Sequence, residues 1–475
     1  MAGGGDHAFG AAAAPAAVKD HVDAEVVIVG GGIAGLATAV ALRRAGVGTG
    51  GVLVLERHAE LRAMGAALTI FPNGWFALRA LGVAHKLTSR YEAYETSKAT
   101  NLETGVTQVF RFAGTKNKDE DVRVRALDRK ALLEALAEEL PPGTVRFSSK
   151  LVSIDTDRAA ADAPETVVMR LDDGAVIRAK ALIGCDGLHS VVARWLGLPD
   201  PASSGRSAVR ELSVFPGGHG VKRELRQFLS QGLRAGMVPI SDTDIYWFLV
   251  NDTVPAGNSI HCTFFLTRRL PLSELRASEC LTCLCCSASV FAEKDAAGDP
   301  AKTLREVTGD LAGHMPVEYL DVVRHTDQAN LSWAPLLYRN PISILTSAAA
   351  RGPVTVAGDA FHPMTPDMAQ GGCSALEDAV VLARSLAAAA TPADGVAAYV
   401  AARRWRAAWL VAGAYLSGWV QQGGTNVRGV RGWVVKMFRD WVFYPFVFPR
   451  LADTMWFDCG ELVAPCGDEG KSHAE

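Results

Sequence analysis

Three short stretches of the chain place glycines and carboxylates where a phosphate, a polyol and an electron-rich ring could be held. The first, Gly30-Gly31-Gly32-Ile33-Ala34-Gly35, has the spacing G-x-G-x-x-G. Glycines at Gly30, Gly32 and Gly35 let the backbone approach a pyrophosphate, and a helix starting there stabilises its charge. Glu56 stands 21 residues after Gly35, where a carboxylate can accept both hydroxyls of an adenosine ribose. An acid at that point repels a 2'-phosphate, so the bound dinucleotide is read as FAD or NAD rather than NADP. The second stretch, Cys185-Asp186-Gly187-Leu188-His189-Ser190, closes an apolar run, and taken alone Asp186-Gly187 reads as an ordinary turn. The third, AGDAFHPMTPDMAQGG at 357–372, follows the strand-like PVTVAG. There the Asp359 carboxylate could bind the hydroxyls of an extended polyol, while prolines fix a loop that leads into a helix opening at Gln370-Gly371-Gly372. Backbone N–H groups at such an opening favour an anionic oxygen or a reduced, negatively charged ring.

These residues need strands that end side by side. EVVIVG at 25–30 is a β-rich run, the apolar residues of GGGIAGLATAVALRRAG take helical spacing, and GVLVLE forms a second buried strand. That β-α-β order favours a parallel sheet. Residues 73–81 and 128–140 read as amphipathic helices, the second capped by Asp128 and stopped by Pro141. Residues 145–183 alternate as an antiparallel meander turning at Asp173-Gly174, and ALIGCDG then returns an apolar strand. ELSVF, DIYWFLV and SIHCTFFL point to a separate sheet, with helical material between Lys302 and His314. Beyond Val354 the strand-helix pattern resumes, with one long helical stretch from Ser374 past Trp419.

The expected fold class is α/β (α+β). It combines a Rossmann-like nucleotide-binding domain in two parts, 24–204 and 336–420, with an inserted, mainly antiparallel substrate sheet at 205–335. Residues 1–23 read as a disordered tail and 421–475 as an aromatic-rich C-terminal region.

Bulk properties narrow the field. A hydrophobic share of 49%, a charged share of 21% and a net charge of −3 are ordinary for a soluble globular protein and suggest no nucleic-acid partner. Nine cysteines in 475 residues are too sparse for a disulfide scaffold, so a reducing, cytoplasmic location is the default, with plastid import left open. No apolar run is long enough to cross a bilayer. Cys280, Cys283, Cys285 and Cys286 lie within seven residues, but no second Cys or His pair with ligand spacing accompanies them. Residues 279–298 therefore read as a variable loop or an error in the gene model, and no metal site is expected. The tail MFRDWVFYPFVFPRLADTMWF could cover a substrate pocket or lie on a membrane surface. Core packing is favoured, because its charges form no clear basic face.

One long ligand reconciles the three stretches: a pyrophosphate at the glycine loop, a sugar alcohol at Asp359 and a ring at Gly371-Gly372. FAD has those parts in that order. At this point the chain resembles the FAD-dependent aromatic hydroxylases, the single-component flavoprotein monooxygenases, through their GxGxxG, DG and GD motifs over residues 24–420. GAALTIFPNGWFALRALGV, VRALDRKALLEALAEEL and GDAFHPMTPDMAQGGCSALEDAVVLARSL are similar to the branch that holds zeaxanthin epoxidase and the salicylate and urate hydroxylases. The ending WFDCGEL is similar to its tail.

The resemblance implies that Gly30, Gly32 and Gly35 hold the pyrophosphate and Glu56 the ribose. It implies that Arg125 and Arg129 contact FAD, and that the Asp186-Gly187 motif is linked to FAD and to reduced nicotinamide. Gly358-Asp359 would bind the ribityl chain of a non-covalent FAD, with Pro366, Gly371 and Gly372 beside the isoalloxazine as the catalytic set. NADPH or NADH would visit transiently, since only one GxGxxG is present, and a C4a-hydroperoxyflavin would transfer one oxygen atom of O2 to a small organic substrate. An aromatic or phenolic acid, a terpenoid and a purine all remain open as that substrate, as does the oligomeric state.

The pattern is broken at Ala369, where this family commonly has glycine before the Gln. Two rivals stay in view. One is an NAD-dependent dehydrogenase, which leaves the Asp359 loop without a purpose; the other is a flavin-binding protein whose turnover is impaired by residues 279–298. His189 and His362 are read as packing or hydrogen-bonding residues, since oxygen transfer from flavin needs no fixed histidine.

Overall fold

The computed structural model describes residues 21–62, 67–112, 122–158, 165–252, 300–311, 313–326, 331–423 and 429–462. The leader, the SIHCTFFL run and the cysteine-rich segment 279–298 lie outside the described residues.

Two large sheets divide the described residues, beside a two-stranded one formed by Ala67–Ile70 and Arg125–Asp128. In the first, the strands Val354–Val356, Val176–Gly184, His21–Val29, Val52–Leu55 and Val145–Arg146 lie side by side in that order, all parallel. Their register aligns the carboxyl ends: Val29 sits between Leu55 and Gly184, and Gly184 is beside Val356. Glycine loop, Glu56, Asp186 and Gly358 therefore leave the sheet at one edge, which is where open α/β sheets bind ligands. The helix Ile33–Arg44 buries every residue from Ile33 to Leu42, because the sheet strands, the helix Gly371–Ala388 and the helix Arg129–Ala137 all pack against it.

The meander expected over 145–183 is shorter than its pattern. Val145–Arg146 joins the parallel sheet beside Val54 and Leu55, and the antiparallel part is Leu151–Asp157, Thr166–Leu171 and the start of Val176–Gly184. The last of these is one strand serving two pairings, so the apolar ALIG run continues the meander. The long helix expected from Ser374 is two helices, Gly371–Ala388 and Pro392–Gln421. Thr391 caps the second and Pro392 occupies its first turn, where a missing N–H leaves no partner unmet.

The second sheet has the order Ser332–Tyr338, Ala202–Val214, Asp244–Asn251, Leu233–Pro239, Leu225–Ser230, Thr96–Asn101, Thr107–Arg111. Its last two strands come from the stretch expected to belong wholly to the nucleotide domain, and Thr96–Asn101 pairs parallel to Leu225–Ser230. Strand alternation gives this sheet two functions. Ile245, Trp247 and Leu249 pack with Tyr319, Val322 and Val323 of the helix Val317–Arg324. Tyr246, Phe248 and Val250, one residue out of phase, face a cavity between the two sheets.

The C-terminal region follows the packing expectation only in part. Phe443, Tyr444 and Met455 are buried, whereas Trp433, Trp441 and Phe446 are exposed.

Candidate functional site

The cavity measures about 1480 Å³, more than the roughly 300–1,000 Å³ of a usual small-molecule pocket, so it has room for a dinucleotide and a second molecule. Its nucleotide side is lined by Gly32, Arg129, Gly187, Asp359, Pro366, Gly371 and Gly372. Its far wall carries Arg210, Arg234, Tyr246 and Phe248, and Pro445, Phe446 and Trp456 of the C-terminal region line it as well.

Glycine is required where backbones meet. Gly30 has φ +105°, and a Cβ on it would come within 2.4 Å of the Cys185 carbonyl oxygen. A Cβ on Gly35 would lie 1.9 Å from the Gly30 carbonyl oxygen. These two residues thus shape the loop without lining the cavity, while around Gly32 an added Cβ would meet nothing within 4 Å, leaving its backbone open to a ligand. Gly358 closes the circle: at φ +60° its Cβ position is 2.8 Å from the Ala34 Cβ, so the third stretch lies against the first.

Glu56 accepts from Gly31 N–H at 2.7 Å through one carboxylate oxygen and from His58 N–H at 2.9 Å through the other. The carboxylate is thereby locked beside the glycine loop, with lone pairs left for hydroxyl donors. Asp186 points elsewhere: it accepts from Ser190 Oγ at 2.5 Å and Val191 N–H at 2.6 Å, anchoring the start of the helix Val191–Trp195. Burial pushes its carboxyl up. Asp186 is thus a helix anchor here, and its neighbour Gly187, at φ +77°, is the member of the pair that reaches the cavity. Arg125 does not line the cavity. It donates to the Tyr91 and Arg123 carbonyls at 3.0 and 3.1 Å and lies 5.1 Å over the Trp75 ring. Arg129, four residues on at the start of the helix Arg129–Ala137, does line it.

Asp359 is the exception among the acids. It is exposed to the cavity, and among the described residues its carboxylate has no hydrogen-bond or ion-pair partner. One of its oxygens lies 4.0 Å from the Cβ position of Gly371, at the start of a helix that no side chain caps. Orphan N–H groups at such an end attract negative charge. The residue before the cap, Ala369, takes the left-handed conformation at φ +52°.

Sequence patterns did not point to what holds this loop. Asp367, next to Pro366, accepts from Arg206 at 2.7 and 3.1 Å and from Arg234 at 2.6 Å. Burial pushes the Asp367 carboxyl up, but the two guanidinium groups outweigh it and hold it below its ordinary range. Arg206 and Arg234 stand on strands of the second sheet, so the triad ties the substrate wall to the loop before Gly371 and leaves one net positive charge there. Arg210 and Tyr246 both line this wall, placing a cation and a phenol on the same side of the cavity. Behind the loop, Asp378 accepts from Gly358 N–H at 2.8 Å and from Arg403 at 2.7 Å, and pairs with His362 Nε2 at 2.6 Å. Glu377 pairs with Arg403 at 2.5 Å and Arg406 at 2.6 Å. Charged residues at otherwise apolar positions were the only sequence signal for either cluster.

The groups fit FAD: an open glycine loop, a carboxylate unpartnered among the described residues and an uncapped helix start line one connected space, and the acid at the second strand end is hydrogen-bonded to that glycine loop. Comparison with known proteins agrees. The FAD binding domain family matches residues 23–261 and 342–414. Monooxygenase 2 of Arabidopsis thaliana is 33% identical over 464 residues, covering 94% of this chain and 100% of that protein. An FAD-dependent urate hydroxylase of Mycolicibacterium vanbaalenii is 29% identical, covering 82% and 86%. In structure, the chain is similar to Klebsiella pneumoniae HpxO complexed with FAD and uric acid, with a TM-score of 0.70 and 22% identity over 91% of this chain and 96% of that one.

Proposed function

This chain belongs to the FAD-dependent monooxygenases, and from that premise we propose that it uses NADH or NADPH and O2 to hydroxylate or epoxidise a small aromatic or isoprenoid substrate. FAD supplies the two-electron redox chemistry and the activation of oxygen. The chain's own residues bind, orient and shield. Backbone around Gly32 and the start of the helix Ile33–Arg44 take the pyrophosphate, and Glu56 takes the adenosine ribose. Arg129 neutralises phosphate charge. Asp359 accepts from the ribityl hydroxyls, and the N–H groups at Gly371 and Gly372 stabilise negative charge on the ring. Pro366, fixed by the Asp367 triad, forms a rigid floor for the reacting space. Arg210 and Tyr246 face that space from the opposite sheet, where they would orient an oxygen substituent of the substrate, and the apolar rim of Phe446 and Trp456 limits water.

The observation that carries this proposal is Asp359, an acid turned into the cavity, without a partner among the described residues, beside an uncapped helix start. Losing a charge-assisted hydrogen bond there costs on the order of 1.5–3 kcal/mol, so Asp359→Ala should weaken FAD binding roughly ten- to a hundredfold. The flavin that remains bound should show a shifted spectrum and release peroxide without product. Glu56→Ala, at the adenine end, should lower occupancy while leaving bound flavin coupled. Wild-type affinity and coupling in Asp359→Ala would falsify the assignment. A substrate screen read by stimulated NAD(P)H oxidation and product mass identifies the second ligand.

A further inference from the structure

From Trp433 to Phe446 every exposed residue is apolar: Trp433, Val434, Met437, Phe438, Trp441, Val442, Pro445 and Phe446. They come in adjacent pairs four residues apart. The segment is α-helical over Gly429–Phe438 and π-helical over Arg439–Val447, and π turns widen the helical repeat enough to keep such pairs on one face. Exposure is high, with Trp433 at 62%, Trp441 at 70% and Phe446 at 59%. The charged residues of the same segment are paired and at most partly exposed. Lys436 Nζ donates to Glu103 at 2.8 Å, and Arg439, 1% exposed, pairs with Asp440 at 2.8 Å.

A surface helix ordinarily buries its apolar side and shows its charges to water. Here that order is reversed, and a contiguous exposed apolar face marks a docking surface. Two features select its occupant. Arg450 follows the face in the chain and is exposed, a cation that complements anionic headgroups. Its far end, Pro445 and Phe446, also lines the cavity, so the apolar face runs into the cavity wall. Tryptophan is the residue enriched where membrane meets water.

We infer that this helix lies in the surface of an anionic lipid bilayer, with its Trp433-to-Phe446 face in the headgroup–acyl boundary and the cavity's C-terminal rim against the apolar phase. No described helix is long and apolar enough to cross a membrane, so attachment is in-plane. Docking depends on this surface alone and holds whatever reaction the cavity performs.

Flotation of the full FAD-loaded chain with phosphatidylcholine vesicles, with and without phosphatidylglycerol, tests it. The protein should float with the anionic vesicles and release partly at high salt. Trp433→Ser/Trp441→Ser should lower partitioning by about tenfold or more, with FAD content and melting temperature unchanged because both side chains are exposed. Quenching of tryptophan fluorescence by acyl-brominated lipid should fall in parallel. Three results overturn the inference: no flotation with either vesicle, a double variant that floats like the wild type, or a dimer that the double variant dissociates while neither form binds vesicles.

Discussion

Ala369 holds the left-handed conformation, φ +52°, at the turn that aims the helix start of Gly371 into the cavity. An L-residue there costs about 1–2 kcal/mol relative to right-handed backbone. Glycine removes that cost but adds about 0.4–1 kcal/mol of unfolded-state entropy. Ala369→Gly should therefore stabilise the protein by about 0.5–1 kcal/mol, read from urea unfolding with an unchanged m-value. Equal or lower stability would show that the turn carries no such strain. At this scale the sequence was informative where chemistry and backbone coincide. Gly30, Glu56 and Asp359 each follow a strand that the hydrophobic pattern located, and Gly32 and Gly35 open the helix after the first of them. It was poorer where one motif has two possible uses. Asp186-Gly187 looks the same in sequence whether its acid faces a ligand or anchors a helix, and only the Ser190 and Val191 contacts separate the two.

Between elements, the helices Gly371–Ala388 and Pro392–Gln421 are joined by charges buried out of water. Arg403 is 1% exposed and lies between Glu377 and Asp378, both at 0%. Breaking a buried pair from one side costs about 3–5 kcal/mol, since the remaining charge keeps its desolvation penalty. Burial pushes the Asp378 carboxyl up, yet His362 and Arg403 outweigh it and hold it at about 2. Its stabilising contribution is therefore complete above the unfolded carboxyl value of about 4 and is lost as pH falls from there toward 2. Arg403→Met should lower stability by about 3–5 kcal/mol at neutral pH, and its acid-unfolding midpoint, followed by circular dichroism, should move to higher pH. A midpoint that stays put would mean that Arg403 does not hold Asp378 ionised. Such clusters are hard to read in sequence because the partners are far apart in the chain: Asp367 meets Arg206 across 161 positions and Arg234 across 133. The strands Thr96–Asn101 and Thr107–Arg111 were missed for a related reason. TSKATN and TQVFR carry little apolar alternation; the first is placed by pairing with Leu225–Ser230 and the second by pairing with the first.

For the molecule as a whole, the cofactor site exists only when distant segments meet: the glycine loop, Gly187 and the 357–372 stretch reach one cavity through a shared sheet edge. An unfolded chain cannot assemble that site, so FAD binds the native state alone. Free FAD at a hundred times its Kd should then stabilise the fold by about 2.7 kcal/mol and raise the melting temperature by a few degrees. Two variants separate the site from the scaffold. Asp359 makes no hydrogen bond or ion pair among the described residues, so apo Asp359→Ala should melt within about 1 kcal/mol of apo wild type, the range of a lost helix-end charge. Its gain from the same FAD concentration should nevertheless shrink. Arg403→Met should melt lower both with and without FAD, because it weakens the frame that both states share. Differential scanning calorimetry of the three proteins, apo and FAD-loaded, decides the matter. An apo Asp359→Ala that melts as low as Arg403→Met would make Asp359 a structural residue and remove it from the flavin site.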